Sequence, residues 1–195
     1  MLSLKDSLAV LKKTEALKEG HFVLSSGLHS SQYVQCAKLL SFPNKAEEIC
    51  RSLASKIKKN FKKIDIILSP AIGGIVIGYE IGRILKKETI FCERVNGKFQ
   101  LRRGFKIQKG TKVLIVEDVI TTGKSSLECA NLIKKSKASL VGFSCIIDRS
   151  TRKQLKIKKK IISKIKLNIP TFKKNKLPIY LKNIPITSPG SRRIK

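Results

Sequence analysis

The segment with the clearest chemistry spans residues 112–126, with the sequence KVLIVEDVITTGKSS. Its aliphatic run VLIV predicts a buried strand, which delivers two adjacent carboxylates, Glu117 and Asp118, to the edge where open α/β sheets bind ligands. The following TTGKS predicts a tight turn into a helix, whose free backbone amides and neighbouring hydroxyls can bind a phosphate group. Because carboxylates repel a phosphate, we expect them to accept hydrogen bonds from sugar hydroxyls or to hold a divalent metal ion. The segment therefore predicts a site for a ribose 5-phosphate.

Two other interpretations of this segment compete with a sugar-phosphate site. The letters GKS suggest the phosphate-binding loop of nucleoside triphosphatases, but the GxxxxGK[ST] motif needs glycine at position 118, where the chain has Asp118. The other interpretation is a plain strand, turn and helix with two solvated acids. Two exposed acids followed by TTG are an uncommon way to build a plain turn, so we keep the sugar-phosphate interpretation.

A second candidate anion site lies at residues 69–74, with the sequence SPAIGG, directly after an earlier predicted strand. Gly73 and Gly74 have no side chains, so the backbone amides of this loop can approach an anion closely. A glycine-rich turn without a ligand would have the same composition. This loop is therefore weaker evidence when taken alone.

The elements that must position these loops alternate between strand and helix patterns. Residues 93–110 are polar and basic, contain Gly97 and Gly104, and predict a long hairpin or mobile loop that can act as a lid. The alternation predicts an α/β fold, a central parallel sheet flanked by helices, in a single domain spanning residues 1–195. The predicted strands are 64–69, 89–92, 112–118 and 140–148, and the predicted helices are 44–60, 74–86 and 125–135.

The two ends of the chain have weaker patterns. Residues 3–18 predict an amphipathic helix that ends at Gly20, followed by short extended pieces at 22–24 and 33–35. After residue 150 the chain is rich in lysine, and stretches such as KIISKIKLNI fit either strands or a basic helix. The proline-containing ending predicts a path over the surface.

Composition limits the partners and the compartment. The formal net charge of +29 should attract polyanions, but lysines outnumber arginines 33 to 9, which fits a biased composition as well as a binding surface. Without an interleaved aromatic platform or an RNA-binding motif, nucleic acid is not the expected partner. The five cysteines have no metal-ligand spacing, and the chain has neither a signal-peptide pattern nor a run of about 20 apolar residues. These features predict a cytoplasmic protein that does not span a membrane.

The motif VLIVEDVITTGKS resembles the phosphoribosyl pyrophosphate signature of the type I phosphoribosyltransferases. The SPAIGG loop is similar to the pyrophosphate loop of the same family. The resemblance implies that two sets of residues contact phosphoribosyl pyrophosphate. They are Glu117, Asp118, Val119, Ile120, Thr121, Thr122, Gly123, Lys124 and Ser125 in the signature, and Ala71, Gly73 and Gly74 in the glycine loop.

Three further stretches resemble the orotate phosphoribosyltransferases, and their bacterial subgroup in particular. They are FVLSSGLHSSQY at 22–33, RVNGKFQLRRGFKI before the signature, and IIDRS at 146–150, together with the PGSR ending. The resemblance implies a small hood formed near 20–36 and 155–185, Mg²⁺ carried by the substrate with Asp118 as its protein contact, and a homodimer in which the lid reaches the neighbouring site. Orotate would be contacted by Thr121, Arg149, Ser26 and Gly27.

The lid departs from the pattern of the family. Many members carry lysines and a histidine there, whereas this lid has no histidine and offers Lys98, Arg102, Arg103 and Lys106, so which residue replaces the catalytic lysine stays open. Many members also have a lysine where this chain has Ser25. The resemblance implies a catalytic set of Glu117, Asp118, Arg94, Lys98, Arg102 and Arg103, with Arg94 neutralising pyrophosphate.

Two alternatives to an orotate enzyme remain. A purine phosphoribosyltransferase would keep the sugar-phosphate loop but change the base pocket, and Arg149 together with the hood motif argues against it. An RNA-binding regulator with the same fold is suggested by the net charge of +29. We rank both below transfer of a phosphoribosyl group to orotate.

Overall fold

The computed structural model describes residues 1–24, 26–151 and 155–187. Their order of strand and helix follows the alternation expected for an α/β fold. In chain order the elements are α1 (Leu4–Lys13), β1 (Leu17–Val23), β2 (His29–Val34), α2 (Cys36–Leu40), α3 (Pro43–Asn60), β3 (Ile66–Pro70), α4 (Gly73–Leu85), β4 (Glu88–Val95), β5 (Lys98–Leu101), β6 (Lys112–Ile120), α5 (Lys124–Lys135), β7 (Ser139–Asp148), β8 (Ile161–Lys166), β9 (Thr171–Phe172), α6 (Ile179–Lys182) and β10 (Ile186–Thr187).

Six strands form the main sheet in the order β5-β4-β3-β6-β7-β8. All neighbouring pairs are parallel except β4 and β5, which form an antiparallel hairpin at the start of the predicted lid. The predicted parallel sheet flanked by helices is confirmed. Because the parallel strands begin on one side and end on the other, we call the two sides the amino edge and the carboxyl edge.

Helices cover both faces of this sheet. Successive residues of β3 point to opposite faces, so Ile67 joins a core with α3 and α4, whereas Ile66 and Leu68 join a core with α5. Burial on both faces explains why the strands are almost entirely aliphatic. Ligands can therefore reach the sheet only at its edges. Within the described ranges, no helix is both long enough and apolar enough to cross a bilayer.

The N-terminal helix is shorter than the sequence predicts. It ends at Lys13, Thr14 caps it, and Glu15 takes a left-handed φ of 54°, which stops the helix. Residues 17–23 then form β1, so the prediction of a helix to residue 18 that ends at Gly20 is wrong. The leucine at position 17 fits both a helical face and the buried first residue of a strand, and pairing with β2 decides between them.

A second sheet of four strands has the order β10-β1-β2-β9. The β1–β2 hairpin is antiparallel, and β9 and β10 add strands from the C-terminal part of the chain. This sheet uses both segments in which a hood is expected, with one difference. Residues 161–166 form β8 in the main sheet, because they pair in parallel with β7. Ser25 and the PGSR ending, residues 189–192, lie outside the described residues.

Two buried histidines join the parts of the small sheet. His21 Nε2 lies 2.6 Å from His29 Nδ1, and His21 Nδ1 lies 3.2 Å from the carbonyl oxygen of Ile184. Burial lowers the pKa of His29, and the nearby His21 and Lys174 act in the same direction. These contacts give both histidines a structural role in the hood.

Candidate active site

The acid pair lies at the carboxyl end of β6. Glu117 is buried, and the hydroxyl of Ser126 on α5 donates a hydrogen bond to its Oε1. Burial raises the pKa of Glu117 to about 7, and the Ser126 hydrogen bond opposes this effect while the neighbouring Asp118 reinforces it. Burial also raises the pKa of Asp118, whose Oδ1 accepts a hydrogen bond of 2.9 Å from the Val119 amide. Desolvation therefore raises the pKa of both carboxyl groups.

The turn after β6 has the geometry expected of an anion-binding cradle. Gly123 caps the start of α5 with a left-handed φ of 74°, a conformation that other residues adopt only under strain. The first backbone amides of α5 have no acceptor within the helix. They lie at its N-terminal end, where the helix dipole is positive. A cavity of about 60 Å³ lies here, roughly twice the 30 Å³ that one water occupies in the liquid, which suits a phosphate group rather than a nucleotide. Its walls are Glu117 and residues 119–126.

The C-terminal segment packs behind this cradle. A Cβ atom at Gly123 would lie 2.7 Å from Cδ1 of Ile157, so the turn needs glycine for space as well as for its φ angle. The Lys156 amide donates to the carbonyl of Thr122 at 3.4 Å. The shape of the phosphate cradle therefore depends on residues more than thirty positions later in the chain.

The glycine loop between β3 and α4 closes against the acid pair. The Ala71 amide donates to the Cys92 carbonyl at 2.7 Å, and the Ala71–Ile72 peptide bond is cis. A Cβ atom at Gly73 would lie 2.9 Å from Asp118 Oδ2, so the absence of a side chain lets the loop lie against that carboxylate. Gly74 is buried beneath the loop. The structure thus brings both predicted anion-binding loops to the carboxyl edge.

Arg149 lies beside the acid-pair loop, just after β7. Its amide donates to the Ile120 carbonyl at 2.8 Å, which holds the residue next to Thr121. Its side-chain Nε is buried and has no hydrogen-bond partner among the described residues. Burial lowers the pKa of Arg149, and Tyr33 of β2 opposes that shift. A desolvated guanidinium with an unused donor suits a planar anion such as a carboxylate.

Ser26 and Gly27 form the exposed tip of the β1–β2 turn. The Gly27 amide donates to the Leu24 carbonyl at 2.8 Å, and Gly27 has a left-handed φ of 76°. No hydrogen bond in the described part of the chain joins this tip to Arg149. Their contact with a base stays a prediction.

Within the lid hairpin, Arg94 is already bound to its own chain. Its NH2 nitrogen lies 2.7 Å from Oε2 of Glu128 on α5, its NH1 donates to the Gly97 carbonyl at 2.6 Å, and the guanidinium carbon lies 4.0 Å from the centre of the Phe99 ring. Because α5 begins in the phosphate cradle, Glu128 connects the lid to that cradle. An approaching pyrophosphate would have to compete with Glu128 or share the arginine with it.

The other lid cations divide into bound and free. Arg103 pairs with Glu93, with Nε 3.1 Å from Oε1, and lies 5.6 Å from the centre of the Phe91 ring. Lys98, Arg102 and Lys106 are exposed and make no ion pair among the described residues. These three side chains can reach an anion without first breaking a contact.

Sequence reasoning missed several partners in the site. Ser126 lies within the motif, but its hydrogen bond to Glu117 depends on how α5 folds back. Glu128 and Ile157 gave no signal, because each acts through a contact between distant segments. Tyr33 is the last residue of the stretch that resembles the hood, so the resemblance could have been used to predict its position beside Arg149.

The site also bears on the expected Mg²⁺. The described residues contain no group of three or more His, Cys, Asp or Glu side chains able to hold a metal ion by themselves. Mg²⁺ usually keeps several waters and binds through one or two carboxylates together with substrate phosphates. The acid pair fits that pattern, and the less buried carboxylate of Asp118 is the better placed contact.

Comparison with known proteins first shows the class of protein to which this chain belongs. Residues 43–177 match the family model described as phosphoribosyl transferase domain, as the sheet, the acid pair and the phosphate cradle indicate. Over 186 residues the chain is 46% identical to the orotate phosphoribosyltransferase of Caldicellulosiruptor saccharolyticus, covering 95% of this chain and 96% of that protein. The chain belongs to the orotate phosphoribosyltransferase family.

Solved structures share the fold. The orotate phosphoribosyltransferase of Aeropyrum pernix superimposes with a TM-score of 0.69 at 24% identity, covering 82% of this chain and 92% of that one. The adenine phosphoribosyltransferase of Thermoanaerobacter pseudethanolicus gives a TM-score of 0.61 at 18% identity, covering 70% and 88%. Because proteins named for different bases share this fold, the fold alone does not select the acceptor.

Proposed function

We propose that this chain transfers the 5-phosphoribosyl group from phosphoribosyl pyrophosphate to orotate, giving orotidine 5′-monophosphate and pyrophosphate in de novo pyrimidine biosynthesis. The observation that carries the proposal is the unpartnered, buried Nε of Arg149 beside a sugar-phosphate site, because orotate bears a carboxylate and purine bases do not. The 46% identity to a relative named for orotate supports the same acceptor.

Positioning and electrostatics carry the reaction in this proposal. The bond from the anomeric carbon to pyrophosphate breaks with its electrons leaving on oxygen, and a ring nitrogen of orotate bonds to that carbon. The sugar becomes cation-like while charge grows on pyrophosphate. Residues 119–125 bind the 5-phosphate, and Glu117 and Asp118 accept hydrogen bonds from the ribose hydroxyls. The backbone amides of Gly73 and Gly74 face pyrophosphate, whereas the Ala71 amide is already bonded to the Cys92 carbonyl. This scheme needs no protein nucleophile.

We assign the base pocket to the space between the acid-pair loop and the hood. Arg149 binds the orotate carboxylate and Thr121 contacts the ring, supported by the link from Arg149 to the end of β6. Ser26 and Gly27 cover the base from the hood. Orotate would give the guanidinium, whose Nε is buried, the anionic partner that it lacks among the described residues.

The lid neutralises the leaving group and excludes water that would otherwise hydrolyse the sugar. Within the expected catalytic set, Lys98 and Arg102 are the cations that we expect to reach pyrophosphate first, because Arg94 and Arg103 are held by glutamates. Bound Mg²⁺, with Asp118 as its contact, would take up further pyrophosphate charge.

A homodimer completes the proposal. On α4, which follows the glycine loop, Val76 and Tyr79 are 51% and 66% exposed, and the preceding Ile72 is 86% exposed. Apolar side chains at this spacing form one stripe along a helix and suit burial against a second copy. Light scattering of the purified protein tests this, and the Tyr79→Glu variant should shift it to monomers.

The proposed compartment is the cytoplasm. All five cysteines are buried and free. Unpaired thiols are typical of proteins in a reducing compartment.

The deciding experiment supplies pure protein, Mg²⁺ and phosphoribosyl pyrophosphate with orotate, adenine, hypoxanthine or uracil in separate reactions. Orotate alone should be consumed. In Arg149→Lys, which keeps the charge but loses the fork, the KM for orotate should rise about tenfold with little change in the affinity for phosphoribosyl pyrophosphate. Consumption of a purine would favour the purine enzyme, and no consumption of any base would favour the regulator.

A further inference from the structure

The amino edge of the main sheet is a continuous lysine-rich surface. The chain approaches β3, β4, β6 and β7 through residues 58–65, 86–88, 109–112 and 134–139, and these neighbouring strands are parallel, so the four segments lie at one edge. Eleven of their 21 residues are lysine, against 33 of 195 in the whole chain, and only Asp65 and Glu88 are acidic. We call these segments the lysine edge.

Backbone contacts hold the segments of the lysine edge together. The Asp65 amide donates to the Lys112 carbonyl at 2.8 Å, and the Lys112 amide donates to Asp65 Oδ2 at 2.8 Å. The Gly110 amide donates to the Lys137 carbonyl at 3.0 Å. The backbone of these segments is therefore held in place, so the lysines project from fixed points of the surface.

The lysine edge is not neutralised from within. All eleven lysines are exposed, and none makes an ion pair with another described residue. Asp65, one of its two acids, already accepts a hydrogen bond from the Lys112 amide. At the carboxyl edge, by contrast, the acids Glu117 and Asp118 lie near the end of β6. Arg94 and Arg103 are paired with glutamates there, and Lys98 and Arg102 are unpaired. The positive charge of the chain is therefore unevenly distributed, which a composition bias alone does not explain.

A cleft of about 270 Å³ lies within the lysine edge. Its lining contains four lysines, one acid and three apolar residues: Lys58, Lys62, Lys63, Lys87, Asp65, Phe61, Ile64 and Leu85. Phe61 is its one aromatic residue and is only 8% exposed, so it offers little face on which a base could stack. The cleft therefore suits phosphate groups and not bases.

We propose that the lysine edge binds the phosphate backbone of a nucleic acid without reading its sequence. Four neighbouring strands span three spacings of about 4.8 Å, or about 14 Å, so the surface is wider than one phosphate and matches a linear polyanion. The lack of an aromatic platform argues against recognition of bases. Contacts to the phosphate backbone of the nucleic acid do not need such a platform. The predicted lid segment returns to the lysine edge at residues 109–110, but the acid pair and the phosphate cradle lie on the opposite side of the sheet. Binding and catalysis therefore proceed together.

The test measures binding of a labelled oligouridylate by fluorescence anisotropy as a function of salt. The first variant carries Lys58→Gln, Lys62→Gln, Lys63→Gln and Lys87→Gln. The matched control carries Lys5→Gln, Lys13→Gln, Lys38→Gln and Lys182→Gln, four exposed lysines outside the lysine edge with the same loss of charge. The first variant should bind about tenfold more weakly or worse, and its salt slope should fall by about 0.7 for each lost contact, while the control should stay near the parent.

Several outcomes would overturn the proposal. Equally weakened oligouridylate binding in the two variants would show that binding depends on net charge alone. If the wild-type protein did not bind oligouridylate at low salt, the proposal would be refuted. Displacement of the oligonucleotide by phosphoribosyl pyrophosphate would place it at the carboxyl edge. Binding of a nucleoside triphosphate as tight as that of the oligouridylate would point to a small-anion site. Orotate consumption should stay unchanged in both variants, which separates this test from that of the proposed activity.

Discussion

Replacing Glu117 with glutamine should remove a pH dependence from the binding of phosphoribosyl pyrophosphate. Burial raises the pKa of this carboxyl group to about 7, so about half of the molecules carry a proton there at neutral pH. The ionised form accepts charge-assisted hydrogen bonds from ribose hydroxyls, which are about twice as strong as neutral ones. Substrate should therefore bind preferentially to the ionised form, and affinity should fall as the pH falls.

The size of the effect follows from proton linkage. If only the ionised form binds tightly, the apparent Kd is multiplied by one plus the ratio of protonated to ionised Glu117. With a pKa of about 7, that factor is close to one at pH 8, about two at pH 7 and about ten at pH 6. Glutamine has nearly the same shape and cannot ionise, so Glu117→Gln should lose this factor.

Titration calorimetry between about pH 6 and pH 8.5 measures the Kd for phosphoribosyl pyrophosphate in the wild-type protein and in Glu117→Gln. The phosphates of the substrate also titrate in this range, and the glutamine variant reports that shared contribution directly. The wild-type curve should be steeper below pH 7 by up to tenfold in Kd per pH unit. Parallel curves for the two proteins would refute the reasoning, because they would show that Glu117 does not change its charge when the sugar binds.

Three further predictions concern neighbouring residues. Asp118→Asn should lower kcat about a hundredfold with the melting temperature nearly unchanged, and full activity would exclude its assigned role. Gly123→Ala should destabilise the fold by about 1–3 kcal/mol in thermal unfolding, because its Cβ would collide with Ile157, whereas Gly110→Ala, with φ of 82° and open space, should cost less. Glu128→Gln should raise the KM for phosphoribosyl pyrophosphate about two- to fivefold by releasing the lid arginine, a modest effect since the pair is partly exposed.

Local patterns were enough to predict most of the central fold and the two anion-binding loops. The aliphatic run before Glu117 predicts β6, and the glycine after two threonines predicts the start of α5 to within one residue. These features depend on neighbours in the sequence, such as the left-handed φ of Gly123. The carboxyl ends of parallel strands then place the loops together without any knowledge of side-chain contacts.

Contacts between distant segments could not be predicted in this way. The stretch that forms β8 alternates well enough for a strand, but only its pairing with β7 shows that it extends the main sheet. The pairing of Arg94 with Glu128 depends on the packing of α5 against the hairpin. The sequence therefore predicts a basic hairpin or loop at this position, and the structure has a hairpin there, but the sequence does not show which of its cations are unpaired. The role of this segment as a lid stays a prediction.

The pairing of β1 with β10 has a consequence for how the enzyme is made. His21 lies opposite Ile186 in that pair, so strands from the two ends of the chain complete the small sheet. Contacts of such long sequence separation form slowly and only after nearly all of the chain has been synthesised. A prematurely terminated product can build much of the main sheet and the acid pair but not the complete hood. Synthesis through β10 is thereby a precondition for a fully formed hood.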